Sequence, residues 1–176
     1  MADFVKVKLE AIDRLRCKAA QKEFDERNGI RHELGGNRWT GKAGEIAFER
    51  FLGDWAINHL TAGDADPMDY TVGGRTVDVK TVACASEPQP EYKAAYEADQ
   101  ARRQRKAELL VFCRYVLPLD TAIFVGWLPE AEFMAGATLR RKGEPMDNGR
   151  PVQSDFWERA ISELRPMAGL ITEVLG

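Results

Sequence analysis

The chain has 176 residues, of which 44% are hydrophobic and 30% charged, with a formal net charge of −3 and a pI near 5.5. This length suits one domain, residues 1–176, with a core large enough to fold unaided, and the composition is that of an ordinary soluble globular protein. The acidic balance argues against a nucleic-acid coat protein, the longest apolar run ("LLVFC", 109–113) is too short to span a bilayer, and "MADFVKVKLE" has no signal-peptide core, so a cytoplasmic protein with no membrane partner is expected.

Along the chain, apolar positions at Leu9, Ile12, Leu15, Ala19 and Phe24 predict an amphipathic helix over 9–28. The glycines and asparagines of "NGIRHELGGNRWTG" (28–41) predict a loop. The clearest helix follows over 42–57. Gly44, Ala47, Phe48, Phe51, Leu52 and Trp55 share one face, Thr40 stands where an N-cap belongs, and Glu45 lies on the flank. "DYTV" (69–72) and "RTVDVKTV" (75–82), joined by Gly73-Gly74, form a tight β-hairpin.

"EPQP" (87–90) is a break, after which 91–106 is expected as a helix ending in the basic cluster "ARRQRK". "ELLVFCRYV" (108–116) and "TAIFVGWL" (121–128) are strong strands around a connection containing Pro118. "ATLRRKG" (137–143) is a weaker edge strand or loop. Ser154 is expected to cap a last helix whose Phe156, Trp157, Ala160, Ile161 and Leu164 share a face, broken at Pro166. The sum is a layered α/β fold. Cys17, Cys84 and Cys113 are scattered and odd in number, which suits free thiols in a reducing compartment; His32 and His59 stand apart and receive no role.

The hairpin holds the informative residues. A two-residue Gly-Gly loop pairs Val72 with Arg75, and the register then sets Asp69 directly opposite Asp78, with Cβ atoms about 4.5–5.5 Å apart on one face. Lys80 points to that same face, whereas Tyr70, Val72, Val77 and Val79 point to the core. Facing carboxylates repel, and a shared proton or a cation relieves them. With oxygen donors only, and no nearby His or Cys, the fitting cation is hard: Mg²⁺ or Mn²⁺. The plainer account is a structural Asp78–Lys80 ion pair on a solvated strand face.

"GKAGEIAFERFL", then "DYTV", then "VDVKT" resembles the PD-(D/E)XK nuclease superfamily, with its restriction-endonuclease-like fold. The resemblance covers roughly residues 40–130, and "TAIFVGWLPEAEF" looks like the strand and turn that follow the second core helix. It implies a mixed central β-sheet flanked by helices. By position, Glu45 matches the helix acid, Asp69 the first strand acid, and Asp78-Val79-Lys80 the signature. Met68, not Pro, precedes Asp69, so Asp66 of the nearby Asp66-Pro67 is a rival ligand that falls outside the predicted pairing.

The resemblance implies a Mg²⁺-dependent deoxyribonuclease, an endonuclease hydrolysing DNA phosphodiester bonds. Asp69, Asp78 and the Val79 carbonyl would hold the metal, Glu45 would reach it directly or through water, and Lys80 would orient the attacking water, stabilise phosphate charge or act as base. Arg102, Arg103, Arg105 and Lys106, and separately Arg140, Arg141 and Lys142, are candidate contacts to the DNA backbone. A solvated basic helix end explains each cluster equally well, and Trp39 is a stacking or a packing residue. Cutting both strands would call for two sites, hence a homodimer, while a nicking monomer satisfies the same residues. The alternative to an enzyme is a non-catalytic DNA- or protein-binding module on a nuclease-like fold.

Overall fold

The computed structural model describes residues 4–27, 39–61, 68–103, 106–146 and 149–176. Most of the glycine-rich loop (28–38), His32, Asp66, Arg105 and the Phe24 side chain lie outside the described residues. The fold is mixed α/β. Six strands form a curled mixed sheet: β1 (Val5–Lys8), β2 (His59–Thr61), β3 (Tyr70–Val72), β4 (Arg75–Cys84), β6 (Leu109–Val116) and β7 (Thr121–Pro129). Their spatial order is β1-β7-β6-β4-β3-β2. Only β4 and β6 run parallel; the other pairs are antiparallel. A parallel pair needs a crossover. That crossover carries β5 (Lys93–Glu97), which joins β8 (Thr138–Arg140) and β9 (Phe156–Ala160) in a second sheet of order β5-β9-β8.

Alternation along β4 and β6 gives the large sheet two buried faces. On one, Tyr70, Val72, Val77, Val79, Val111 and Phe124 pack against α2 (Thr40–Asp54) and α5 (Met167–Leu175), with Cys17 of α1 (Ala11–Arg27) at the margin. On the other, Leu110, Phe112, Ile123, Val125 and Leu128 meet Ala94 and Tyr96 of β5, Ala101 of α3 (Ala98–Ala101) and Phe133 of α4 (Glu130–Gly136). The second core is therefore sheet on sheet. No helix among the described residues is long and apolar enough to cross a membrane.

Several expected elements changed. The first helix buries Asp13, Cys17 and Asp25, while Ile12 and Leu15 are 61% and 64% exposed. Asp13 can occupy the buried stripe because Arg50 of α2 donates to its Oδ2 at 2.6 Å and the Glu10 N–H does so at 2.8 Å. Thr40 is the first residue of α2, not its cap; Trp39 holds the cap position without a side-chain bond, and Trp55 lies past the helix end. Where a helix over 91–106 was expected, residues 93–101 are a strand and a four-residue helix, because Ala94 and Tyr96 alternate inward against β9. The segment after Ser154 is also a strand, β9, held between β5 and β8. A central strand can override helical periodicity through partners on both sides. The C-terminal helix instead begins beyond Pro166, with Met167, Leu170, Ile171 and Val174 buried. β1 and β2 were not expected.

Candidate functional site

Gly73 and Gly74 both have positive φ, +54° and +79°, as a two-residue turn matched to strand twist requires. This turn sets Val72 against Arg75 and Tyr70 against Val77, the register expected from the sequence. Tyr70, Val72, Val77 and Val79 are all buried in the core. Beyond Tyr70 the ladder loosens. The Asp69 N–H donates to the Val77 carbonyl at 3.0 Å, while the Val79 N–H donates to Asp69 Oδ2 at 2.7 Å. A side-chain carboxylate thus takes the place of a strand carbonyl, which ties Asp69 to the strand bearing Asp78.

Asp78 is only 5% exposed. Burial of a charge at this depth requires a partner, and Lys80 supplies it through an ion pair with Oδ2 of Asp78. The Lys80 ammonium also stands 5.6 Å from the ring centroid of Tyr96. A cation over an aromatic face is held by the ring quadrupole. Tyr96 lies in β5, so the small sheet forms one wall of the site.

Glu45 arrives from α2. The helix comes so close to β4 that a Cβ on Gly44 would lie 1.8 Å from Thr81 Oγ1. Tyr70 fixes the helix further, its single hydroxyl proton shared between the Glu45 carbonyl at 3.0 Å and Glu49 Oε1 at 3.2 Å. The Glu45 carboxylate accepts from Lys42 Nζ at 2.8 Å. Burial pushes the Glu45 carboxyl up, against the pull of Lys42 and with the push of Asp78.

The strongest effect falls on Asp69. Burial, then the charges of Asp78 and Glu45, raise its carboxyl to about 8, against the smaller pull of the Val79 N–H and Lys80. Three acids from α2, β3's approach and β4 therefore feel one another. Among the described residues no three acidic, Cys or His side chains already stand as a metal cage; Asp78 is turned to Lys80 and Glu45 to Lys42. The donor chemistry fits a hard divalent cation: carboxylate and backbone oxygens with excess negative charge and no soft ligand.

The basic residues are differently placed. Arg102 and Arg103 are exposed just past α3. Arg102 reaches Asp99 at 3.6 Å, and the positive charge of Arg103 acts on the Tyr96 hydroxyl beside the site. Lys106 is held by Glu130 at 2.9 Å. The expected helix ending at 106 is absent, since α3 stops at Ala101. Arg140 lies 3.8 Å from both Glu144 and Glu158 and donates to the Pro145 carbonyl; Arg141 and Lys142 are exposed. Trp39 is a packing residue, edge-on to Tyr115 with Lys18 over its ring.

Two residues of the site escaped the sequence reading. Lys42 was findable, since it precedes Glu45 by three positions on one helix face. Tyr96 was not, because its segment carries a helical pattern and its neighbours are set by long-range pairing with β9. Neither a protein-family model nor a curated protein matches the chain.

Proposed function

We propose that the protein is a divalent-metal-dependent deoxyribonuclease, an endonuclease of the PD-(D/E)XK kind. The observation that carries the reading is the hairpin, in which Asp69 is tied to the Val79 N–H, Lys80 is paired with Asp78, and the charges of Asp78 and the helix acid Glu45 act on Asp69. The chain order supports it: an acid-bearing helix, a hairpin with one acid just before its first strand and one on its second, then a strand parallel to the second. One feature departs from the expectation, since the helix between those parallel strands has only four residues.

Asp69, Asp78 and the Val79 carbonyl are the residues that would hold Mg²⁺ or Mn²⁺, with Glu45 direct or through water. The ion supplies a polarised phosphate and a bound water of lowered pKa. The chain's own contributions follow from geometry. Asp69 is anchored to β4 by the Val79 N–H, so the two strand acids keep their spacing. Lys80, paired with Asp78 on the same strand face, would orient the water or stabilise the phosphate charge. The Tyr96 ring, 5.6 Å from the ammonium, would help to hold Lys80 at the wall of the cleft.

The second reading rests on the Asp78–Lys80 pair itself. As a closed structural ion pair it predicts a protein that binds no divalent ion and does not cut DNA. One experiment separates the two: incubation with supercoiled, linear and branched DNA in Mg²⁺, Mn²⁺ or EDTA. Metal-dependent nicking or cutting, lost in EDTA, supports the nuclease; intact DNA under every condition supports the ion pair.

A further inference from the structure

Parity along the strands puts Asp78, Lys80 and Val82 of β4 on one face of the large sheet. In the parallel register Lys80 lies beside Phe112 and Val82 beside Arg114. Arg114 is therefore one strand over from the site and about 7 Å further along it. A cleft of about 240 Å³ opens at Lys80, lined by the exposed Glu97 and also by Val82, Ala95 and Phe156. Those last three residues also line a larger cavity, about 500 Å³, with Tyr92, Arg114 and Met146 on its walls. The two spaces adjoin at those three residues, and together their linings reach from Lys80 to Arg114.

The groove has two chemical sides. Tyr92, Met146 and Val82 are 40%, 40% and 39% exposed, an unusual share for apolar side chains gathered in one concavity. Phe156 lies half-buried between the two spaces. Arg114 lines the same cavity, partly buried, and its guanidinium donates to the Lys93 carbonyl. Among the described residues it has no ion-pair partner. The acids of the cavity are Glu158, which faces Arg140 at 3.8 Å, and Glu91 at the exposed rim. A partly desolvated guanidinium without a carboxylate suits a phosphate, and exposed aromatic and thioether surface beside it suits the face of a base.

We propose that this groove holds one unpaired nucleotide of the strand being cut, its base on the Tyr92–Phe156 wall and its phosphate on Arg114. The inference rests on the nuclease reading and adds to it a substrate class: DNA with a single-stranded or unstacked nucleotide next to the scissile bond. A paired base would remain stacked in its duplex and could not reach the wall.

The test is binding in EDTA, so that no chemistry intervenes. The probes are a short fluorescent oligothymidylate and an oligonucleotide of equal length with abasic sugars throughout. The wild-type protein is expected to bind the first about tenfold more tightly, within the range of aromatic–base stacking. Tyr92→Ala, at an exposed position that leaves the core intact, should erase most of that difference while leaving the abasic probe unaffected. Arg114→Gln should weaken both probes alike and flatten the salt dependence by about one unit of slope; Arg114→Lys should restore part of it. Thermal unfolding checks that each variant is folded. Equal binding of both probes by the wild type overturns the pocket, as does a preference that survives Tyr92→Ala together with Phe156→Ala. In both cases metal-dependent cleavage would persist, and the nuclease reading would stand. No binding of either probe, with no cleavage in Mg²⁺, overturns both.

Discussion

Asp69 bears the electrostatic strain of the site, and its titration gives a sharp prediction at the residue scale. Its carboxyl titrates near 8 in the folded protein against an ordinary 3.8. A group raised on folding binds more protons in the native than in the unfolded state, so its stabilising contribution is full below about pH 4 and lost as pH climbs through about 8. In EDTA, Asp69→Asn should therefore be the more stable form at pH 8 to 9, and its advantage over the wild type should shrink towards pH 5. Asn can still accept the Val79 N–H. Melting curves across this range check it; a constant difference would sink the electrostatic account. Divalent metal should reverse the order at pH 8, since it binds the ionised acid and stabilises by mass action. Asp78→Asn should abolish both that metal-induced rise in Tm and DNA cleavage; normal cutting by this variant would place the site elsewhere. Lys80→Ala makes the complementary case. Its side chain is only 16% exposed and closes an ion pair on a buried acid. Removing it should cost stability in EDTA, because Asp78 is left uncompensated, and Mg²⁺ should recover that loss without recovering turnover. Loss of folding that Mg²⁺ does not recover would favour the structural ion pair.

At the scale of elements, the contact of α2 with β4 decides whether Glu45 meets the strand acids. Gly44 is required there by space, not by backbone conformation, since a Cβ would strike Thr81 Oγ1. Gly44→Ala gains helix propensity in isolation, yet it should lose about 1–3 kcal/mol to overpacking. It should also lift Glu45 away from the site. Urea denaturation measures the first effect and the metal-induced melting shift the second. Thr81→Ala should recover part of both, and an additive double mutant would mean that the two residues are not in contact. This is also the scale on which the sequence was unevenly legible. The hairpin was readable because Gly-Gly fixes its own register and four apolar residues fix its inward face. The strands at 109–116 and 121–129 were readable from their apolar density. β5 and β9 were not, because each is held by pairing with a distant segment, Lys93 with Ala160 and Glu97 with Phe156. The stripe of α1 misled for another reason: Arg50, more than thirty residues away, lets an aspartate lie where apolar spacing points to a leucine. By contrast, Met167, Leu170, Ile171 and Val174 carried an ordinary helical signal just after Pro166.

The whole molecule poses an electrostatic problem, since a chain of net charge −3 is proposed to bind a polyanion. Local arrangement has to outweigh the sum. The cations flanking the site are not equivalent. Lys106 and Arg140 are already engaged by acids, so much of their field is cancelled before DNA arrives. Arg103 is exposed with no ion-pair partner among the described residues, and its charge is felt at Tyr96, which in turn carries Lys80. Arg102 has only a long contact with an exposed aspartate, a pair worth little in water. The structure thus favours the surface beside α3 over the one beside β8. Changing Arg102 and Arg103 to Ala should weaken DNA binding alike for all sequences, lower the slope of log affinity against log salt by about two, and leave the metal-induced melting shift intact. The same changes at Arg140 and Arg141 should lower the slope by less, because releasing Arg140 from Glu158 and Glu144 offsets any phosphate contact it makes. Fluorescence anisotropy in EDTA from low to moderate salt reads both. Equal slopes for the two double mutants and the wild type would remove both surfaces from the DNA path.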